Sequence, residues 1–308
     1  MNTHSIRTSI ISLANPWLDW VPPSSAPQTA LTLNTEMNDL CALHPTRLYF
    51  FGTLPLTAPT PSILQSLAHL RTLPHCRGVI LGTSGLGTGL DDPALLPILT
   101  SLATSPPLPL FLHPHYGLPA SVFGPRASNS GHVLPLALGF PMETTIATTR
   151  MLLAGVFDAV PALQVILAHS GGALPFLAAR IDSCIVHDAH LQQAEPRTSI
   201  WDVLRRNIWL DAVVYGEVGV RGALGVSGAD RVMFGTDAPF FPPLDHVAED
   251  GGEGGGGRGE GGKWLSVELN MDAIRKACGA GSEEEKAVLG GNAIRLFGLD
   301  VSDDVCRT

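Results

Sequence analysis

The sequence predicts an α/β chain folded as a (β/α)8 TIM-type barrel that supplies seven of the eight strands. Three observations lead there. Short runs rich in Val, Ile, Leu and Phe, without polar alternation, recur along the chain and read as strands buried on both faces. Amphipathic helical stretches separate them, which is the pattern of a parallel sheet covered by helices. Three of the runs end on groups able to bind a metal, at His113, His169 and Asp237. An open doubly wound sheet is the alternative, but no G-x-G-x-x-G joins a first strand to a helix. Gly85-Leu-Gly87-Thr-Gly89 follows a strand with the wrong spacing.

Thr8 to Ala14 is β-branched and apolar and reads as the first strand, leaving into the polar-aromatic loop Asn15-Pro-Trp-Leu-Asp19. A Pro/Ser-rich connection covers Val21 to Gln28, and a helix is expected near Thr35–Leu43. Arg47 to Gly52 is the second strand. Ser62–Leu73 is an amphipathic helix with Ile63, Leu64, Leu67 and Leu70 on one face. Gly78 to Gly82 is the third strand, followed by a glycine-rich loop and a helix at Pro93–Ser101. Pro109 to His113 is the fourth. A long loop, Pro114 to Gly139, leads to a helix from Pro141 to about Phe157, whose Pro141 and Glu143 suit a helix N-terminus. Val165 to His169 is the fifth strand, then a Ser-Gly-Gly turn and a helix at Leu174–His187. Asn207 to Asp211 and Arg231 to Asp237 are the sixth and seventh strands, with a helix at Glu217–Leu224 between them. Glu268–Ala277 and Glu283–Phe297 are closing helices. One domain is expected over 1–308, interrupted by Glu249 to Gly262, where nine of fourteen residues are glycine. That insert cannot build a core and is expected to be disordered.

Bulk chemistry narrows the function. With 45% hydrophobic residues the chain can fill a sizeable core, and its formal net charge of -9 argues against nucleic acid as a partner. No apolar run approaches the ~18 residues of a membrane span. Five scattered cysteines without C-x-x-C fit a reducing compartment, the cytosol, and give no zinc knot.

In a parallel barrel all strands end at one mouth, where such enzymes keep their chemistry. Two imidazoles and one carboxylate there suit a zinc-like divalent ion with open positions. The glycines beside His169 and Asp237 (Gly171, Gly172, Gly235) imply close approach of backbone or ligand. His115 follows His113 across a proline and is a candidate for the pocket wall.

The stretches FLHPHYGLP (111–119), LGFPMETTIATTRMLLAGVFDAVPALQVILAHSGGALPFLAARID (138–182) and VMFGTDAPF (232–240) resemble the amidohydrolase superfamily. Within it they are similar to the aminocarboxymuconate-semialdehyde decarboxylase branch. SLANPWLDW (12–20) and residues 78–99 bring the likeness nearest to the fungal 6-methylsalicylate decarboxylases. The resemblance implies His113 and Asp237 as metal ligands, His169 as the group beside the metal that handles protons and water, and a catalytic part for Asp237 in orienting that water. It implies Zn2+ or another divalent metal as cofactor. The implied activity is non-oxidative decarboxylation of an ortho-hydroxybenzoate, such as 6-methylsalicylate to 3-methylphenol and carbon dioxide. Asn15, Trp17, Asp19, His115 and Arg126 are candidates for binding this small aromatic acid, and a homodimer is the candidate assembly. The family's first strand carries an H-x-H that this sequence lacks, so weak metal binding and little activity are expected. The alternatives are a lactone or amide hydrolase of the same superfamily and a barrel that has lost its catalysis.

Overall fold

The computed structural model describes residues 1–86, 88–193, 197–241 and 264–300. The glycine-rich insert 249–262 lies outside the described residues. Seven strands form one sheet in sequential order, all parallel. They are β1 (Ser9–Ser12), β2 (Leu48–Thr53), β3 (Cys76–Gly82), β4 (Leu110–His113), β5 (Val165–Leu167), β6 (Ile208–Asp211) and β7 (Val232–Met233). Among the described residues β1 pairs only with β2, and β7 only with β6.

The helices between them are α1 (Ala26–Ala42), α2 (Thr60–Leu70), α3 (Leu96–Ala103), α4 (Phe140–Leu153), α5 (Val156–Ala159), α6 (Leu174–His187), α7 (Ile200–Arg206) and α8 (Glu217–Ser227). After β7 come α9 (Leu265–Cys278), α10 (Glu283–Lys286) and α11 (Asn292–Phe297), the last two joined through a wider helical turn at Ala287–Gly291. No described helix is long and apolar enough to cross a membrane.

The two-residue period of the strands divides the core in two. On the outer face, Phe50, Val79, Leu81, Leu110, Leu112, Val165, Leu167, Ile208 and Leu210 pack with helix residues such as Ile63, Leu67, Leu99 and Val220. The intervening residues turn inward. Ile10, Phe51, Ile80, Phe111, Ile166, Trp209 and Met233, one from each of the seven strands, meet in a second cluster. With the packing of Phe51 in β2 against Phe297, beyond β7, this cluster fits a sheet curled as in a barrel. Leu296 and Phe297 of α11 pack on the same cluster, Phe297 meeting Phe51 edge-on at 5.6 Å.

The structure moves several boundaries. The helix expected at Thr35–Leu43 begins at Ala26, because Pro27 starts a helix well where it would break one inside. Residues 200–206, for which the sequence suggests no element, form α7, capped by Ser199, whose hydroxyl accepts the Asp202 N–H at 3.1 Å. The helix expected from Pro141 to Phe157 ends at Leu153 and resumes at Val156, with Gly155 left-handed (φ 72°) at the break. β5 and β7 stop short of His169 and Asp237, which sit on the loops that leave them.

Candidate metal centre

The strand period places the chemistry. Two residues beyond Phe111, on the same inward face, is His113; two beyond Trp209 is Asp211. His113 ends β4 with Nδ1 donating to the Pro114 carbonyl at 2.9 Å, which leaves Nε2 free to bind an ion. His169 follows β5 on a sharp turn in which it (φ 53°, ψ 43°) and Ser170 (φ 51°, ψ 29°) are both left-handed. Asp237 is also left-handed, at φ 52°. Such conformations cost roughly 1–3 kcal/mol each in residues with a Cβ and persist only where their surroundings hold them.

Donor atoms of His113, His169 and Asp237 all lie within 4.8 Å of one another. Ligands ~2.0–2.2 Å from an ion stand at most ~4.4 Å apart, so a small side-chain adjustment closes the site. His169 Nε2 lies 3.6 Å from Asp237 Oδ2, and the two imidazoles meet at 5.4 Å between ring centres. Among the described residues His169 Nδ1 is buried without a hydrogen-bond partner. Imidazole nitrogens and a carboxylate oxygen gathered this closely are a donor set that fits a divalent ion.

The environment separates the two imidazoles. Burial pushes His113 below the usual histidine range, and the neighbouring His169 pushes it further. Burial also opposes charging of His169, but contact with Asp237 and the charge of Asp211 outweigh it and hold His169 above its ordinary value. His113 is thus suited to neutral ligation and His169 to carrying a proton.

Three further residues shape the centre and had not been singled out as site residues. Asp211 Oδ1 accepts the backbone N–H groups of Ser170 (2.9 Å) and Val213 (3.1 Å), and burial raises its carboxyl. Tyr215 donates its hydroxyl to Asp237 Oδ2 at 3.3 Å, its phenol held above the usual range by burial and by Asp237. Glu143, at the start of α4, accepts the N–H groups of His115 and Gly117 and the hydroxyl of Thr83, and so fixes the loop after β4. Of these, Asp211 is the one that the strand period could have found, two residues beyond the inward-facing Trp209. The roles of Tyr215 and Glu143 depend on contacts 22 and 28 residues away in sequence.

Asn15, Trp17, Asp19 and His115 form one cluster beside His113. Asn15 Nδ2 donates to the His115 carbonyl at 2.7 Å, and His115 Nε2 pairs closely with Asp19 Oδ2. Trp17 lies edge-on to both His115 (5.1 Å) and His113 (6.3 Å), while Tyr116 stacks on His115 at 4.0 Å. Gly82 sits beneath; a Cβ there would meet His115 Nδ1 at 2.6 Å and the Trp17 ring at 2.7 Å. Arg126 is not brought to this cluster. It is exposed at the start of the short turn Ala127–Ser130.

The family model described as amidohydrolase matches residues 18–299. The chain belongs to the amidohydrolase family. The named relatives are decarboxylases, that is, carboxy-lyases. The 2-amino-3-carboxymuconate-6-semialdehyde decarboxylase of Dictyostelium discoideum is 28% identical, the match covering 91% of this chain and 69% of that protein. Decarboxylase macB of Penicillium terrestre is 30% identical over 79% of this chain and 73% of its own. The 6-methylsalicylic acid decarboxylase of Penicillium expansum is 24% identical over 77% of this chain and 72% of its own. Among solved structures, Metarhizium anisopliae IDCase in its apo form is 57% identical with a TM-score of 0.90, covering 97% of this chain and 77% of that one. The dihydroxybenzoic acid decarboxylase of Polaromonas, solved with manganese and 2-nitroresorcinol, shares the fold at 24% identity and a TM-score of 0.77, over 99% of this chain and 86% of that one.

Proposed function

We propose that the chain is a divalent-metal-dependent, non-oxidative decarboxylase of a planar ring acid with an oxygen on the carbon next to the carboxylate. The observation that carries this reading is the meeting of His113, His169 and Asp237 at the mouth of the sheet, in a family whose named relatives are decarboxylases. His113 and Asp237 are the residues that would hold the ion. Zinc is the metal the sequence resemblance implies, and manganese, bound by the Polaromonas protein, suits the same nitrogen and oxygen donors. When bound, a divalent ion would act as Lewis acid and template for the carboxylate and its neighbouring oxygen.

The remaining work falls to this chain's own groups. His169 donates a proton to the ring carbon that bears the carboxylate. The bond to the carboxylate then breaks, its electron pair restores the ring, and carbon dioxide leaves. Asp237 supports the charged imidazolium of His169 from 3.6 Å. Trp17, with Asn15, Asp19 and His115, walls the substrate side next to His113.

6-Methylsalicylate is the substrate that the sequence resemblance points to. The greater likeness to IDCase, 57% against 24% for the 6-methylsalicylic acid decarboxylase, calls for a panel wider than that one acid. Purified protein loaded in turn with zinc and manganese is assayed for carbon dioxide release from planar ring acids with an oxygen next to the carboxylate, among them ortho-hydroxybenzoates including 6-methylsalicylate. Release from at least one, abolished by chelation, is the expected result. Hydrolysis of a lactone or amide panel without decarboxylation would overturn the reading.

A further inference from the structure

We infer that Asp211 and Thr145 are positioning residues, a two-sided clamp on the left-handed His169–Ser170 turn that aims the imidazole at the metal centre. The inference rests on the reading of His169 as the proton donor. The turn needs a clamp because two consecutive residues with a Cβ occupy a region that such residues rarely adopt. Glycine takes over only afterwards, at Gly171 (φ 73°) and Gly172 (φ 67°).

From the β6 side, Asp211 Oδ1 takes the Ser170 N–H at 2.9 Å and the Val213 N–H at 3.1 Å, while its backbone carbonyl takes the Ser170 hydroxyl. No described cation stands within ion-pair distance of this carboxylate. Its direct partners are the backbone of the turn and of its own loop. From the α4 side, Thr145 Oγ1 accepts the Ala173 N–H at 2.9 Å and lies 3.2 Å from the Gly171 carbonyl and 2.8 Å from that of Pro141. The turn is pressed against α4 here: a Cβ on Gly172 would fall 1.9 Å from the Pro141 carbonyl. The backbone of residues 170–173 is therefore held by one side chain from β6 and one from α4, with His169 at its head.

The test uses the full chain and three variants. Asp211→Ala removes both side-chain acceptor bonds. Asp211→Asn keeps an acceptor oxygen for them and removes the charge. Thr145→Val keeps the shape and removes the hydroxyl. Metal content and melting temperature are measured first, then turnover, then the imidazole resonances of His169 by 1H–15N NMR, assigned with His169→Gln. Misplacing a reacting group by about 1 Å costs about 100-fold, so kcat should fall about 100-fold in Asp211→Ala with KM nearly unchanged. Thr145→Val should show the same kcat-only loss, and Asp211→Asn should regain most of it. The His169 resonance should be single and sharp in wild type and Asp211→Asn, and broadened or doubled in the other two. If Asp211→Ala does not fold, Thr145→Val and Asp211→Asn decide. Unchanged kcat and an unchanged His169 resonance in Thr145→Val would overturn the clamp, as would an Asp211→Asn defect as deep as that of Asp211→Ala. The NMR pattern needs no substrate: finding it in a wild-type protein that decarboxylates nothing would overturn the proposed function and leave the clamp standing.

Discussion

His113 and His169 carry the same side chain into the same centre, and their neighbours set them apart. His113 is half-buried beside a second imidazole, and desolvation and that neighbour push it below the usual histidine range. His169 faces two carboxylates and is kept chargeable. Replacement should therefore separate them from metal loading. His169→Gln is expected to keep most of its metal, measured by mass spectrometry of the purified protein, and to lose roughly 100- to 10,000-fold in turnover, the range for a general acid. Asp237→Ala is expected to lose metal and turnover together; retained metal would place the carboxylate outside the ligand set. The three residues that meet were legible from strand exits alone. Tyr215 and Glu143 were not, because each acts through a partner far along the chain, and Glu143 also served as an ordinary helix-start acid. Arg126 comes from a long loop whose path no periodicity fixes, and its side chain is exposed at the start of the turn Ala127–Ser130.

The strands were readable because burial on both faces leaves an unbroken apolar run, and that signal survives without knowledge of the partners. Helix starts were less so. Ser25-Ala-Pro27 looks like a linker until the chain after it is seen to coil, and α7 has only seven residues to show a period. The Ser-Gly-Gly turn between β5 and α6 leaves little room for change. Gly172 combines φ 67° with the Pro141 carbonyl 1.9 Å from where a Cβ would stand. Strain and overpacking add, so Gly172→Ala should destabilise the protein by about 3 kcal/mol or more, read from denaturant unfolding. A change below about 1 kcal/mol would mean that α4 yields easily, and the clamp argument would weaken with it.

Over the whole molecule, the buried thiols of Cys41 and Cys76 set an alkaline limit. Burial pushes Cys41 from 9.0 up to about 11, with Cys76 adding to the effect, and burial raises Cys76 as well. A raised thiol favours the folded state's proton, so the contribution is intact below 9.0 and is lost as pH climbs through about 11. Melting temperature should fall across that window, and Cys41→Ala should flatten the fall. The centre has a different bearing on the fold, because the residues that would hold its ion, His113 and Asp237, leave β4 and β7, strands far apart in sequence. An ion gripped there is a cross-link that exists only in the native state, and mass action makes it count. At a free metal concentration 100 times the dissociation constant it adds about 2.7 kcal/mol to the free energy of unfolding. Thermal denaturation should therefore shift upward with the logarithm of added manganese or zinc and fall back with chelator. The protein's own melting curve would then report occupancy before any substrate is known.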